Sequence, residues 1–426
     1  MNNRDQIRLL LVILRKIVLI FLIPMISLPG CLPGIPDGKY RCGADPQASC
    51  PTGWYCYINS DVSAEPRCYR DAPDSDIDVD TDSNTDSEND TALPPNVSFS
   101  RLGEWAVYND VFHSYVEGTT AYIARSDYIQ ILDVSDPVAG KIHEIGKHYT
   151  ERIVYLMVKN QIVYGIQKNG GASGPDALVV IDAADPERPS LLTVYSLLDE
   201  AGELDTENAQ FDQLEIYGDD VYLQGQCFLQ IVSFSNPEFP QFIWRQGLLV
   251  ENMVCEGIYS VVRSGNLLYM ANGSRGMTVY DVSDLSAPDP LEALVTSESI
   301  EDMAITDSHA FFATGKGGLE SAFIGELEGM GITGVLPLDT WGHRVEMMGD
   351  IAIVSFITHE AGAFMSGDYN ILDAGVVAVD VSNPNAMTIL DGIGELAEPA
   401  DIQVVGDRIY ITNKEKGLLI YSLDKQ

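Results

Sequence analysis

Seven residues stand nine positions before the aromatic residue, or its aliphatic equivalent, of seven alternating apolar stretches: His113, Tyr155, Gln213, Ser260, Asp302, Arg344 and Asp401. Four of them carry chemistry. The carboxylates Asp302 and Asp401 with the imidazole of His113 are the residue types of acid–base hydrolysis or elimination, and Arg344 is a permanent cation for an anionic group. Such an arc of mixed charge can equally bind a small ligand or ion, or be no more than a solvated, salt-bridged rim. His113, Asp302, Arg344 and Asp401 are therefore candidate ligand-binding residues. A second candidate surface is THEAGAFMSGDYNILDAG (358–375), where Phe364, Met365 and Tyr369 alternate with Glu360, Asp368 and Asp373. Aromatics and methionine are typical of contact surfaces, which singles out Phe364, Asp368 and Tyr369.

Other residues that look chemical do not hold up. Asp133, Asp182, Asp281 and Asp380 recur at one position of a repeated turn, so they are read as caps of their own backbone rather than catalysts. The six histidines (113, 143, 148, 309, 343, 359) have no metal-ligand spacing, and no HExxH, CxxC, GxSxG or phosphate-cradling glycine loop occurs. No catalytic residue, metal site or resident cofactor is assigned.

Two patterns that alternate along the chain must position these residues. One is an apolar stretch crossing a tight turn: YVEGTTAYIA (115–124), MVKNQIVYGI (157–166), IYGDDVYLQ (216–224), VVRSGNLLYMA (261–271), AITDSHAFFAT (304–314), EMMGDIAIVSF (346–356) and VVGDRIYIT (404–412). This is two strands and a hairpin turn of Gly, Asn or Asp. The other is a third strand ending in an Asp/Ser turn closed by Pro: IQILDVSDP (129–137), LVVIDAADP (178–186), LQIVSFSNP (229–237), MTVYDVSD (277–284), a degenerate AFIGELE (322–328), VVAVDVSNP (376–384) and LLIYSLD (418–424). A looser apolar run such as LLTVYSLL (191–198) supplies a fourth strand. Seven copies of about 47 residues give an all-β, seven-bladed β-propeller of four-stranded blades over 97–426. The last copy stops at its third strand, so 97–106 is expected to supply the missing outer strand and close the ring. On this count Asp302, Arg344, Asp401 and His113 sit on consecutive blades at the top of a central channel. The blade 6 loop, Cys227 and Cys255 belong to the same face.

LVVIDAADP, with IQILDVSDP and VVAVDVSNP, resembles the LVIVD repeat of bacterial secreted and surface β-propellers. The resemblance implies architecture and an address outside the cytoplasm. It implies little chemistry, because a fold does not fix a function.

The first 30 residues look like an export signal. Arg4, Arg8, Arg15 and Lys16 precede the apolar run IVLIFLIPMISL (17–28), which is too short for a membrane-spanning helix. The run ends in Leu28-Pro29-Gly30-Cys31, and a small residue directly before Cys resembles the lipobox of bacterial lipoproteins. That family implies a lipidated Cys31 carrying several acyl chains, palmitate among them, and hence a stable anchor. Leu32 rather than Asp after the cysteine implies sorting to the outer membrane or cell surface. An ordinary cleaved signal with an incidental cysteine is the alternative. Over 31–70, Cys42, Cys50, Cys56 and Cys68 read as two disulfides with three possible connectivities, holding a segment too small to fold on its core alone. Cys227 and Cys255 are a further candidate pair. Residues 71–96 hold nine acidic residues and no Lys or Arg, a disordered, self-repelling linker. Weak Ca²⁺ association is its alternative use. An EF-hand loop begun at Asp76 puts Thr81 where Gly is needed and Ser87 where Glu is needed.

The whole chain has 426 residues, with 25 Lys+Arg against 63 Asp+Glu and a net charge of −38. That balance excludes nucleic acid as a partner and argues against docking by charge onto anionic lipid. The expectation is a membrane-anchored envelope lipoprotein. Its propeller serves as a binding or scaffold module for an envelope protein or extracellular glycan; the alternative is a hydrolase or lyase at the channel mouth.

Overall fold

Short runs of β-branched and aromatic residues, each broken by a turn-forming pair, fold here into antiparallel sheets of four strands. The computed structural model describes residues 40–41, 55–57, 67–69 and 97–425, except 108–110, 139, 169–175, 197–210, 226–227, 248–256, 339, 360–370, 395 and 397–398. The chain divides into two units, Met1–Asp90 and Thr91–Gln426. In the first, Arg67–Tyr69 lies between Tyr40–Arg41 and Tyr55–Tyr57, with Cys56 opposite Cys68 in the backbone register. Cys31, Cys42, Cys50, Cys227 and Cys255 lie outside the described residues. Among the described residues no helix is long and apolar enough to cross a membrane.

The second unit is a seven-bladed propeller. Its innermost strands are His113–Glu117, Ile153–Lys159, Phe211–Tyr217, Ser260–Ser264, Asp302–Ile305, Trp341–Met348 and Pro399–Val405. Each touches the next, and the seventh touches the first. The seam closes as the sequence predicts. Val97–Trp105 is the outer strand of blade 7, paired with Gly417–Lys425 from Leu418 opposite Trp105 to Lys425 opposite Val97.

The described apolar core is divided into seven clusters, one between each pair of adjacent blades. The second strand of each blade supplies much of it. Tyr122, Tyr222 and Phe311 are at most 2% exposed, which explains the recurring aromatic. Every outer strand carries a bulge where it pairs with the third, opposite Ile131/Leu132 in blade 1 and at the equivalent place in the other six. Just past the bulge, in three outer strands, a glycine receives a proline carbonyl from the following blade. A Cβ at Gly103, Gly146 or Gly334 would lie 1.7, 1.6 or 2.1 Å from the carbonyl oxygen of Pro137, Pro186 or Pro384. The proline of the repeat is thus an inter-blade contact as well as a turn former.

The repeated aspartates are caps. Oδ1 of Asp133, Asp182, Asp281 and Asp380 accepts the backbone N–H two residues on, at 2.8 to 2.9 Å. In blade 5 Phe323 takes that position, and the turn becomes a 3-10 helix at Leu327–Gly329.

One expectation needs correcting. Residues 358–375 are not all loop: the ladder of blade 6 continues through Thr358 opposite Asp373 to His359 opposite Ile371. Its second strand, Ile351–His359, is 9 residues long, against 5 in Thr120–Ala124, because pairing is favourable as far as both chains stay extended. Phe364, Asp368 and Tyr369 lie in the remainder, outside the described residues.

Candidate functional site

Alternation along the inner strands decides which side chains face the axis. His113, Tyr155, Gln213, Ser260, Asp302, Arg344 and Asp401 all line one cavity of about 410 Å³. Their cross-strand partners are Ala124, Ile166, Gln224, Ala271, Ala313, Ser355 and Thr412, the same register in all seven blades. Blades 2, 3, 6 and 7 have bulges at the start of the inner strand, one residue above the ring, at 154, 212, 343 and 400. The nine-residue count survives because each irregularity falls outside it. Bulges here aim the side chain that follows.

Blades 6, 7 and 1 are joined at this level. Asp401 Oδ2 is 2.8 Å from His113 Nε2 and Asp401 Oδ1 is 3.3 Å from Arg344 Nε. Turned so that both ends of its amide are satisfied, Gln213 accepts from Arg344 Nη2 at 2.7 Å and donates to the Tyr259 carbonyl at 2.6 Å. The His113 ring is 3% exposed and stacks on Tyr155, centroids 3.9 Å apart. Its Nδ1 accepts the Leu156 N–H at 3.4 Å, while Nε2 faces the Asp401 carboxylate. Asp302 accepts the N–H groups of Met303 at 2.8 Å and Val345 at 3.1 Å.

Part of this work is architectural. An inner strand has a free edge, and a side chain of the preceding blade in the ring satisfies it: His113 serves Leu156 and Asp302 serves Val345. Across the seam Gln403 does so twice, accepting the Val116 N–H at 2.7 Å and donating to its carbonyl at 3.1 Å.

Two further carboxylates escaped the sequence reading. Glu215 and Glu346 lie two residues below Gln213 and Arg344, on the same cavity wall with Tyr115, Met157 and Tyr217. Continuing the period-2 count one step inward would have found them. Burial, then the charges of Glu346, Asp302 and Asp401, holds Glu215 well above the usual carboxylate range. Burial, then Asp302 and Asp401, pushes Glu346 up to about 8. Burial also raises Asp302, against the opposing pull of Arg344 and two backbone N–H groups. Asp401 goes the other way: burial alone would raise it, but His113 and Arg344 outweigh that and hold it low. The cavity thus contains one carboxylate held low, Asp401, beside three that burial pushes up. Among the described residues no group of three His, Cys, Asp or Glu is arranged to hold a metal ion.

Comparison with known proteins agrees with this architecture. The LVIVD repeat family matches residues 115–140, 259–293 and 365–391, which fall in blades 1, 4 and 6. The chain carries LVIVD repeats. In these repeats the strand-forming LVIVD segment is the buried third strand and its Asp caps the turn; in blades 1 and 6 the Pro after it makes the inter-blade contact described above, while blade 4 has Leu285 in its place. No curated protein matches the chain. Among solved structures, the LVIVD propeller is similar to the WD40 β-propeller domain of Doa1, with a TM-score of 0.53, 8% identity and coverage of 77% of this chain and 97% of that one. It is also similar to Saccharomyces cerevisiae Sqt1, with a TM-score of 0.52, 8% identity and coverage of 78% and 100%. The RRP9 WD40 repeats give 0.52, 9% identity and coverage of 76% and 97%. At such identity the likeness is one of fold.

Proposed function

We propose that this LVIVD-repeat propeller is a recognition module of the bacterial cell envelope, held at the membrane by lipid on Cys31, and that the mouth of its axial cavity receives part of a protein or glycan partner. One observation carries the reading. The cavity wall is a built polar site, with Asp401 between His113 and Arg344 and Gln213 oriented on the same guanidinium. A merely structural axis is more simply filled with apolar side chains, since desolvating charge is expensive. The acidic segment 71–96 then acts as a spacer, Cys42, Cys50, Cys56 and Cys68 form two bridges below it, and the surface around Phe364, Asp368 and Tyr369 adds contacts on the same face.

Two measurements test this. Radiolabelled palmitate should enter the wild-type protein and not Cys31→Ala, which should leave the membrane fraction. A thermal-shift panel of sugars, cell-wall fragments and amines should yield ligands whose effect disappears in Arg344→Ala. If Cys31→Ala stays lipidated, the anchor is wrong; if no ligand depends on Arg344, the axial site is wrong.

A second reading has its own support. Asp401 is held low while Glu346 is pushed up to about 8 and Asp302 is raised, carboxyls of unlike acidity in one cavity, as an acid and a base in hydrolysis or elimination require. Turnover of a glycoside or ester that Asp401→Asn and Asp302→Asn abolish without unfolding the chain would favour it over the binding module.

A further inference from the structure

The outer strands form the rim of the propeller, and each leaves its sheet with an edge that no described strand pairs. Such an edge offers N–H and C=O groups to any extended chain, so proteins guard it with charge or proline. Two positions, one on each side of the bulge, show how this rim is guarded. In blade 1 they hold Glu144 and Lys147, opposite Leu132 and Gln130, with the carboxylate 3.6 Å from the ammonium. In blade 7 they hold Arg101 and Glu104, again an ion pair, opposite Tyr421 and Leu419. Blade 3 has Arg245 at the second position, blade 4 has Pro290 at the first, and blade 6 has Asp391 between them.

Blades 2 and 5 carry no such guard. Ser190–Ser196 and Gly331–Leu336 contain neither a charged residue nor a proline. The two positions are Leu191 and Val194 in blade 2 and Ile332 and Val335 in blade 5, all four exposed. The blade 5 strand is interrupted by Gly331 and Gly334, which weaken it as a pairing partner. The blade 2 strand has no glycine. Leu191 is 52% and Val194 47% exposed, and both stand on the face that Val179 and Ile181 turn towards blade 1. The bulge does not account for the difference, because all seven outer strands have one.

Charge says what can lie on this edge. The chain carries −38, and Asp182, Asp185 and Glu187 stand just before the strand against Arg188. A second copy is repelled and a basic segment is drawn in. We propose that Ser190–Ser196 is a docking edge for an extended segment of another protein, one with alternating apolar side chains between lysines or arginines. The segment adds antiparallel as a fifth strand of blade 2, and its apolar side chains cover Leu191 and Val194. This site is on the rim and separate from the axial cavity.

Fluorescence anisotropy on the full-length, detergent-solubilised protein tests this. The probe is a labelled octapeptide of alternating threonine and valine with lysine at both ends. It is expected to bind saturably, and the same peptide ending in glutamates at least tenfold more weakly. A lysine-ended analogue methylated at every backbone nitrogen keeps the side chains, loses the donors and should not bind. On binding, hydrogen exchange should slow at 190–196 and not at 331–336. Leu191→Glu with Val194→Lys gives blade 2 the pair that blade 1 carries. It should weaken the peptide at least tenfold with an unchanged melting temperature, since both side chains are exposed. Ile332→Glu with Val335→Lys should leave binding as in wild type. If the acidic peptide binds as tightly, the charge assignment is overturned; if the methylated one does, the fifth strand is. If protection appears at 331–336, or the blade 5 variant is the one that loses binding, blade 2 is the wrong edge. If analytical ultracentrifugation shows a dimer that the blade 2 variant abolishes, the occupant is a second copy and the partner assignment fails. If the lysine-ended peptide does not bind, the inference falls.

Discussion

His113 of blade 1 and Asp401 of blade 7 face each other at 2.8 Å across the junction where the first and last blades meet. The contact does two jobs. It belongs to the charged wall of the axial cavity, and it joins the seam that Gln403 and Val116 bridge through two hydrogen bonds. Arg408 adds a third link, its guanidinium donating to the Val134 carbonyl at 3.1 Å.

Replacing Asp401 should therefore cost stability as well as binding. Asp401→Ala leaves Arg344 without its anion, and a buried charge deprived of its partner costs about 3 kcal/mol. His113→Ala, which removes a ring stacked on Tyr155, should cost less, about 1–2 kcal/mol. Urea unfolding of the two variants and the double variant should show coupling between them. Strict additivity would mean that the contact contributes nothing.

Glu346 makes stability depend on pH in a definite direction. Its carboxyl titrates near 8 in the fold and near 4.5 when unperturbed. Between those values the folded chain holds a proton that the unfolded chain has lost, so stability falls as pH rises through this window. The groups that face it are Asp302, Asp401, Glu215 and Arg344. Glu346→Gln should melt higher than wild type at pH 9 and close to wild type at pH 5, by differential scanning calorimetry. An equal shift at both pH values would show that Glu346 does not titrate in this window.

Gly146 has no side chain because the Pro186 carbonyl of the next blade occupies the place of its Cβ. Gly146→Ala must push the two blades apart at a tightly packed contact, with a loss of about 1–3 kcal/mol. Gly331→Ala is the control, since nothing lies within 4 Å of its Cβ position and its backbone is not left-handed. Chemical unfolding midpoints should separate the two clearly. Equal midpoints would remove the glycine–proline contact from the reasons for blade packing.

A chain that begins at Val107 loses the outer strand of blade 7, leaving Gly417–Lys425 as an open edge. A chain that begins at Thr91 keeps it. The shorter chain should lose its cooperative melt or associate through the open edge, while the longer one melts as the full protein does. Circular dichroism with analytical ultracentrifugation reads both outcomes. A monomeric, cooperative melt in the shorter chain would show that the seam strand is dispensable.

The ring of blades was legible because each blade repeats a local signal. IQILDVSDP and its relatives mark a buried strand and its turn, and the hairpin stretches mark two more. Counting them gave seven sheets and exposed the missing fourth strand that Val97–Trp105 supplies. The position of His113, Tyr155, Gln213, Ser260, Asp302, Arg344 and Asp401 on one wall followed from the same repetition, since a fixed offset from a buried aromatic fixes a register. The length of the blade 6 hairpin did not follow: THEAGAFMSGDYNILDAG has the composition of a loop, and its strand ends at His359 and Ile371 depend on pairing with each other.

What the sequence determined by itself was therefore what repeats: strand alternation, turn chemistry, blade number and the side of each inner strand that faces the axis. The tertiary structure alone decided what those side chains meet. Asp401 is held low and Glu215 and Glu346 are pushed up, although all three are carboxylates at inner-strand positions. The difference is that Arg344 from the preceding blade and, through ring closure, His113 from the first blade are brought beside Asp401, whereas neither forms an ion pair with Glu215 or Glu346. Charge environment depends on distances through space, and only closing seven blades into a ring sets those distances.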